Sequence, residues 1–231
     1  MYILALETST AQGGVAILNK KNLLSERTWI RQKSHSELLT ANIEICLAES
    51  GIDLSKIDRF AVGQGPGSFT GIRVAINAAK TLGYCQKKPI FAFNTMAILR
   101  AGVERLDQPV CTLINAHKNS LYVSLFKADQ NSSSDPAGAM IETLSLEQVE
   151  EKIQTPHLCI GDGFNEYVGL MSRNLKSHLL RNTQFSDYPS PYALGKLAAS
   201  ESLPSSSSFD WNSLQALYIR KSGAEENLGK Y

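Results

Sequence analysis

Residues 63–73, G-Q-G-P-G-S-F-T-G-I-R, hold four glycines and a proline between a strand-like apolar stretch (57–62) and a helix-like one (72–82). A glycine-rich turn from strand into helix brings bare backbone N–H groups to a ligand and points the positive end of the helix dipole at it. That is the chemistry of a phosphate or nucleotide cradle. The alternative is a tight turn that packs strand, loop and helix together. The spacing fits neither G-x-x-x-x-G-K-[ST] nor G-x-G-x-x-G. Candidates for a nucleotide contact are Glu7, Thr8, Gly65, Gly67 and Ser68. For Glu7, the competing role is to satisfy the N–H groups of the turn over residues 8–10. The four histidines, His35, His117, His157 and His178, are scattered, and no two have metal-ligand spacing. His35, between two serines before an apolar helix, reads as a polar N-terminal or surface residue. No nucleophile–base pair is visible. No catalytic residue and no metal site are therefore assigned.

The elements that position these residues begin with a β-meander, strands over 2–6, 15–18 and 23–29 joined by polar turns. A helix over 36–50, closed by Gly51, follows. Strand 57–62, the glycine loop, a helix over 71–86 and strand 89–93 complete the first half. The second half starts near Pro109 with a hairpin, 110–114 and 121–127, around the polar turn 115–120. Residues 131–136 and 204–208 read as surface loops, 158–160 as a buried strand, and 145–154, 164–174 and 191–201 as helices. The segment 216–220 fits strand or helix equally. This order predicts mixed sheets flanked by helices, in an N-terminal lobe over 1–107 and a C-terminal lobe over 108–231 whose tail can pack back on the first.

A folded chain of 231 residues buries roughly 70–75% of its unfolded surface, enough for one large domain or two lobes. A net charge of +1 supplies no global field to hold nucleic acid. The local pairs Lys20-Lys21, Lys87-Lys88 and Arg220-Lys221 form no basic stripe interleaved with aromatics. Cys46, Cys85, Cys111 and Cys159 contain no C-x-x-C pair and sit among apolar or small residues, the pattern of buried free thiols in a reducing compartment. The apolar start is too short for a secretory signal, and no stretch approaches the ~20 apolar residues of a membrane span. A cytoplasmic protein without membrane contact is expected.

The helix over 36–50 has two apolar stripes. Leu39, Ile43, Cys46 and Leu47 form one; Leu38, Ala41, Ile45 and Ala48 form the other. A helix on its own sheet needs one, so the second implies a further neighbour, in this chain or another. The helix over 71–86 carries Arg73, Asn77, Lys80, Thr81 and Tyr84 on one face and small or apolar residues elsewhere. Small residues let helices approach closely.

Four blocks, I-L-A-L-E-T-S-T (3–10), S-H-S-E-L-L (34–39), A-V-G-Q-G-P-G-S-F-T-G-I-R (61–73) and A-L-Y-I-R-K (216–221), together resemble the bacterial TsaB (YeaZ) family. The resemblance covers most of residues 1–100 and is patchier beyond. It implies a two-lobed actin/hexokinase/Hsp70-like (ribonuclease H-like) fold. It also implies a role in making N6-threonylcarbamoyladenosine beside the anticodon of tRNAs that read ANN codons. TsaB-like proteins are the non-catalytic partner of TsaD, their paralogue, which a small ATPase, TsaE, joins. The resemblance points to pairing with TsaD through two helices, here Leu38, Ala41, Asn42, Ile45 and Ala48 on one and Ile72, Ala75, Ile76 and Ala79 on the other. The same surface could make a homodimer when the chain is alone, with an interface on the order of 1,600 Å². No cofactor is expected; a weakly held nucleotide at the subunit junction is the alternative left open. tRNA is reached through the complex.

The chain departs from its relatives in two places. TsaD carries H-x-E-A-H after the strand that follows the glycine-loop helix; here Thr95 and Leu99 stand where the histidines would be. Leucine has no lone pair to give a metal. The family segment D-A-R-x-x-E-x-Y reads N-A-H-K-N-S-L-Y over 115–122, which weakens any ion pair made there. Two other functions compete: an ATP-dependent small-molecule kinase, which would need Gly161-Asp162-Gly163 as a second phosphate loop, and a direct tRNA-binding module.

Overall fold

The structure, a computed structural model, describes residues 1–30, 35–103, 108–128, 140–202, 211 and 213–219. Ser34, the loops 131–136 and 204–208, and the pair Arg220-Lys221 lie outside the described residues. The meander forms as β1 (Tyr2–Glu7), β2 (Gln12–Asn19) and β3 (Asn22–Ile30), each pair antiparallel. After α1 (His35–Ser50), β4 (Arg59–Gly63) and β5 (Ile90–Phe93) join in parallel, with α2 (Phe69–Gln86) between them. The sheet order is β3-β2-β1-β4-β5.

Alternation along these strands feeds two cores. Leu4, Leu6, Val15, Ile17, Phe60 and Val62 face α1 and α2. Ile3, Ala5, Ala16, Leu18 and Ala61 face the opposite side. That side is covered by α3 (Thr95–Ala101) and by α7 (Pro191–Ser200), a helix from the far end of the second half. Glu26 accepts from the Ser190 hydroxyl and the Tyr192 N–H at the start of α7. At its end the buried Arg59 donates to the carbonyls of Ala198 (2.7 Å) and Glu201 (2.9 Å), a cation on the negative end of a helix dipole.

The second sheet holds β6 (Val110–Asn115), β7 (Leu121–Phe126), β8 (Glu142–Leu144), β9 (His157–Ile160) and β10 (Leu179–Leu180), in the order β10-β9-β6-β7-β8. With α4 (Leu146–Lys152), α5 (Asp162–Tyr167) and α6 (Arg173–His178), it makes the second lobe of an actin/hexokinase/Hsp70-like fold. The helix expected over 164–174 is instead two short ones, because Ser172 caps a new helix by accepting the Leu175 N–H. The segment 214–218 is neither strand nor helix; its Leu217 N–H donates to the Gln64 carbonyl across the glycine loop. No helix among the described residues is long and apolar enough to cross a membrane.

Candidate functional site

The glycine loop is closed on the chain itself. A Cβ at Gly63 would collide with the Glu7 carboxylate, at Gly67 with the Ser9 carbonyl and at Gly71 with the Thr8 carbonyl. At Gly65 it would come within 3.0 Å of the Leu217 carbonyl. The glycines thus admit the β1–β2 turn on one side and the C-terminal segment on the other. The Ser68 N–H donates to the Ser9 carbonyl (2.7 Å), and the Thr8 hydroxyl donates to the Gly71 carbonyl (2.7 Å). Ser68 caps α2 by accepting the Gly71 N–H, so two donors that a phosphate would take are spent within the loop. Thr95, at the start of α3, donates to the Ser9 hydroxyl.

Glu7 lies fully buried at the centre of this packing. Its Oε1 accepts the Ser9 N–H at 2.6 Å, while Oε2 has no hydrogen-bond partner among the described residues. Burial pushes its carboxyl up to about 7, against the opposing effect of the Ser9 and Thr8 hydrogen bonds. Glu7, Thr8, Gly67 and Ser68 therefore converge, and Gly65 turns toward the tail. His35 opens α1, in keeping with its reading as a polar N-terminal residue, but it is buried and not at the surface. The Trp29 indole can only donate, so His35 Nδ1 accepts it (3.1 Å), and the ring proton sits on Nε2, 3.1 Å from the Thr10 carbonyl. Burial lowers the His35 pKa, and the neutral ring docks the start of α1 on the β1–β2 turn.

α1 buries Leu39, Ile43 and Cys46, and its second stripe points outward: Ala41, Ile45 and Ala48 are exposed and Leu38 is half-buried. Asn42 does not belong to that outward face. It accepts from Arg27 Nε on β3 and donates to the Leu38 carbonyl, while Glu49 accepts from Ser25 and Arg27. The α2 assignment also needs correction. Ile72, Ala75, Ile76 and Ala79 are at most 5% exposed and belong to the chain's own core, because Ala75 and Ala79 let α2 lie close on β1 and β4 while Ile72 and Ile76 fill the space beside them. The outward positions of α2 are Phe69, Thr70, Arg73, Asn77, Thr81, Tyr84 and Cys85, with Lys80 half-buried beside them.

α3 sits between the lobes. Ile98 and Ala101 pack on the first sheet, and Met96 and Leu99 pack with Val110, Ile114, Tyr122 and Ile160 of the second. Thr95 and Leu99 are thus core residues. Among the described residues there is no group of three or more His, Cys, Asp or Glu able to hold a metal.

In the second lobe, Asp162 Oδ1 accepts the Asn115 N–H, and Asn115 Oδ1 accepts from the Tyr167 hydroxyl and the His117 N–H. Asp187 accepts from Gly161 N–H, Asn165 and Arg181. Burial holds the Asp162 carboxyl above the ordinary carboxylate range. Gly161 and Gly163 press on the Leu113 backbone, so G-D-G forms a packed turn. Sequence reasoning missed Asp187 and Arg181; nothing in their spacing links them to residue 161.

The family model "TsaD: tRNA N6-adenosine threonylcarbamoyltransferase" matches residues 23–227. A tRNA threonylcarbamoyladenosine biosynthesis protein TsaB from Bacillus subtilis is 28% identical over 55% of this chain and 56% of its own length. The protein of that name from Haemophilus influenzae is 34% identical over 54% of this chain and 53% of its own. The match spans about half the length of these two relatives. A Pseudomonas aeruginosa crystal structure, an uncharacterized protein with similarity to peptidase YEAZ, superposes with a TM-score of 0.73 at 24% identity, covering 95% of this chain and 99% of that one.

Proposed function

The chain belongs to the TsaD family and, within it, to the TsaB (YeaZ) type, and from that membership we propose that it is a non-catalytic assembly subunit in the making of N6-threonylcarbamoyladenosine on tRNA. It binds TsaD and activates it for the transfer to tRNAs that read ANN codons. TsaE joins through TsaD, and tRNA is held by the assembled complex.

The observation that carries this reading is the outward stripe Ala41–Ile45–Ala48 on α1. It is apolar, it is not used by the chain's own core, and it lies on a helix fixed to the β1–β2 turn and to β3 by His35 and by the Arg27–Glu49 ion pair. A rigid helix face of this kind suits helix-to-helix pairing. Lack of catalysis is supported by Leu99, an apolar core residue where TsaD places a metal-binding histidine.

The test is Ile45→Glu, at an exposed position outside the chain's own core, with the variant's fold checked by its thermal unfolding. We expect this variant to stop co-eluting with TsaD, and the threonylcarbamoyladenosine content of bulk tRNA, read by mass spectrometry, to fall in cells relying on it. Normal co-elution with TsaD would overturn the docking face. An unchanged nucleoside level after depletion of the chain would overturn the function.

A further inference from the structure

The basic–aromatic interleaving absent from the linear sequence is present on the folded surface. On α2, Phe69, Arg73, Lys80 and Tyr84 fall within roughly 60° of one another at 100° per residue. α2 contains no Asp or Glu. The C-terminal segment supplies the rest. Tyr218 stacks on Phe69 with ring centroids 4.8 Å apart. The Arg73 guanidinium lies 3.9 Å from the Phe69 ring centroid, and its Nε donates to the Tyr218 hydroxyl at 2.8 Å. At the far end, Trp211 meets Tyr84 edge-on at 5.5 Å. Phe69, Tyr84 and Tyr218 remain 36%, 68% and 42% exposed. Arg73 stands near the positive end of the α2 dipole, where a cation is unfavourable, with no carboxylate from its own helix to offset it. Its guanidinium is nonetheless held rigid by an aromatic face and a hydroxyl.

We propose that this stripe is a docking track for a single-stranded RNA segment, Arg73 and Lys80 holding phosphates while bases stack on Tyr84 and on the Phe69–Tyr218 pair. Charge complementarity favours a polyanion, and the exposed rings favour one that carries bases. From Phe69 to Tyr84 the track runs about 22 Å, room for several nucleotides. It shares no residue with the outward stripe of α1. The choice of RNA rests on the tRNA role proposed above.

The test is fluorescence anisotropy of the full-length protein with a labelled 12-nucleotide single-stranded RNA and with an unmodified tRNA transcript, over a salt series. Arg73→Ala and Lys80→Ala should each weaken binding about tenfold at low salt and flatten the log K against log salt slope by about 0.7. Tyr84→Ala should weaken binding about tenfold and leave the slope unchanged, since stacking releases no counterions. Lys20→Ala, on the β2–β3 turn, should change affinity less than twofold. If the Lys80 and Tyr84 variants, which leave the Phe69–Arg73–Tyr218 cluster intact, bind like wild type, the track is not an RNA site. Displacement of the RNA by poly-glutamate as readily as by unlabelled RNA would make it an acidic-peptide site and overturn the proposal. Lys80→Ala should still co-elute with TsaD. Loss of RNA binding with TsaD retained therefore separates this track from the docking face tested by Ile45→Glu.

Discussion

The two lobes have the same sheet: β1, β2, β3, β4 and β5 correspond in order and direction to β6, β7, β8, β9 and β10. Each central strand has six residues, ending at Glu7 in the first lobe and Asn115 in the second. Glycines of the neighbouring strand–helix turn press on the backbone there, on the Thr8 and Ser9 carbonyls just past β1 and on the Leu113 carbonyl within β6. They differ in how the acidic groups at these ends are treated. In the second lobe Asp162 accepts the N–H of Asn115 at the strand's end, and Asp187, beside Gly161, is met by an arginine, an amide and a backbone N–H. In the first, Glu7 is buried with one oxygen unpartnered. The second lobe also spends its helices on short connections, whereas the first lays two long ones side by side with outward faces unused by its core. A common topology can therefore be settled locally in one copy and keep its exposed and unsettled groups in the other.

The largest effect expected from this contrast is at the glycines. Gly71→Ala drives a Cβ into the Thr8 backbone carbonyl, which cannot turn away, and should cost about 3 kcal/mol or more in denaturant unfolding. Gly163→Ala meets first the end of the Leu121 side chain, which can rotate, and should cost about 1–2 kcal/mol. Equal losses would mean that the two turns are packed alike.

Neutralising the acids should give opposite signs. With its carboxyl at about 7 in the folded chain against an ordinary 4.5, Glu7 binds more protons folded than unfolded between those values. Its presence makes stability fall as pH rises through that window and level off above it. Glu7→Gln should remove that slope and raise stability at pH 8 by up to about 3 kcal/mol, taking about 1.4 kcal/mol per pKa unit. Asp187→Asn leaves Arg181 with the Cys159 carbonyl but without its carboxylate, and should lose about 2 kcal/mol at the same pH. Chemical denaturation from pH 5 to 8 reads both.

The smallest effect, with no change in stability, is on thiol chemistry. Burial, expected for all four thiols, fails at Cys85, which is exposed on the outer side of α2; Cys111 and Cys159 are buried side by side on β6 and β9, and burial pushes the Cys159 thiol up to about 12. A thiol reagent at pH 8 should label Cys85 in the folded protein and reach the second-lobe pair only in denaturant.

The first lobe is legible in the sequence because its strands alternate between two covered faces and its helices are long and capped. α2 begins at Phe69, two residues ahead of the pattern, since Ser68 supplies the cap. The second lobe is less legible for a physical reason. β8 and β10 have three and two residues, too few for any period to register, and are held by neighbouring strands. At the candidate site, the outward stripe of α1 can be read from spacing alone. The core residues of α2 resist such reading, because alanine serves close packing on a sheet as well as pairing of helices, and composition does not separate the two. The Arg73–Tyr218 contact, between residues 145 apart, has no local signature at all.

The placement of α7 has a consequence for synthesis. The face of the first sheet formed by Ile3, Ala5, Ala16, Leu18 and Ala61 is covered by a helix that ends at Ser200. A chain emerging from the ribosome completes all five strands of that sheet by Phe93, yet must wait for roughly another hundred residues before the face is sealed. The second lobe is made entirely within that interval. The first lobe is therefore the last to mature, and until α7 arrives its bare apolar face is open to aggregation.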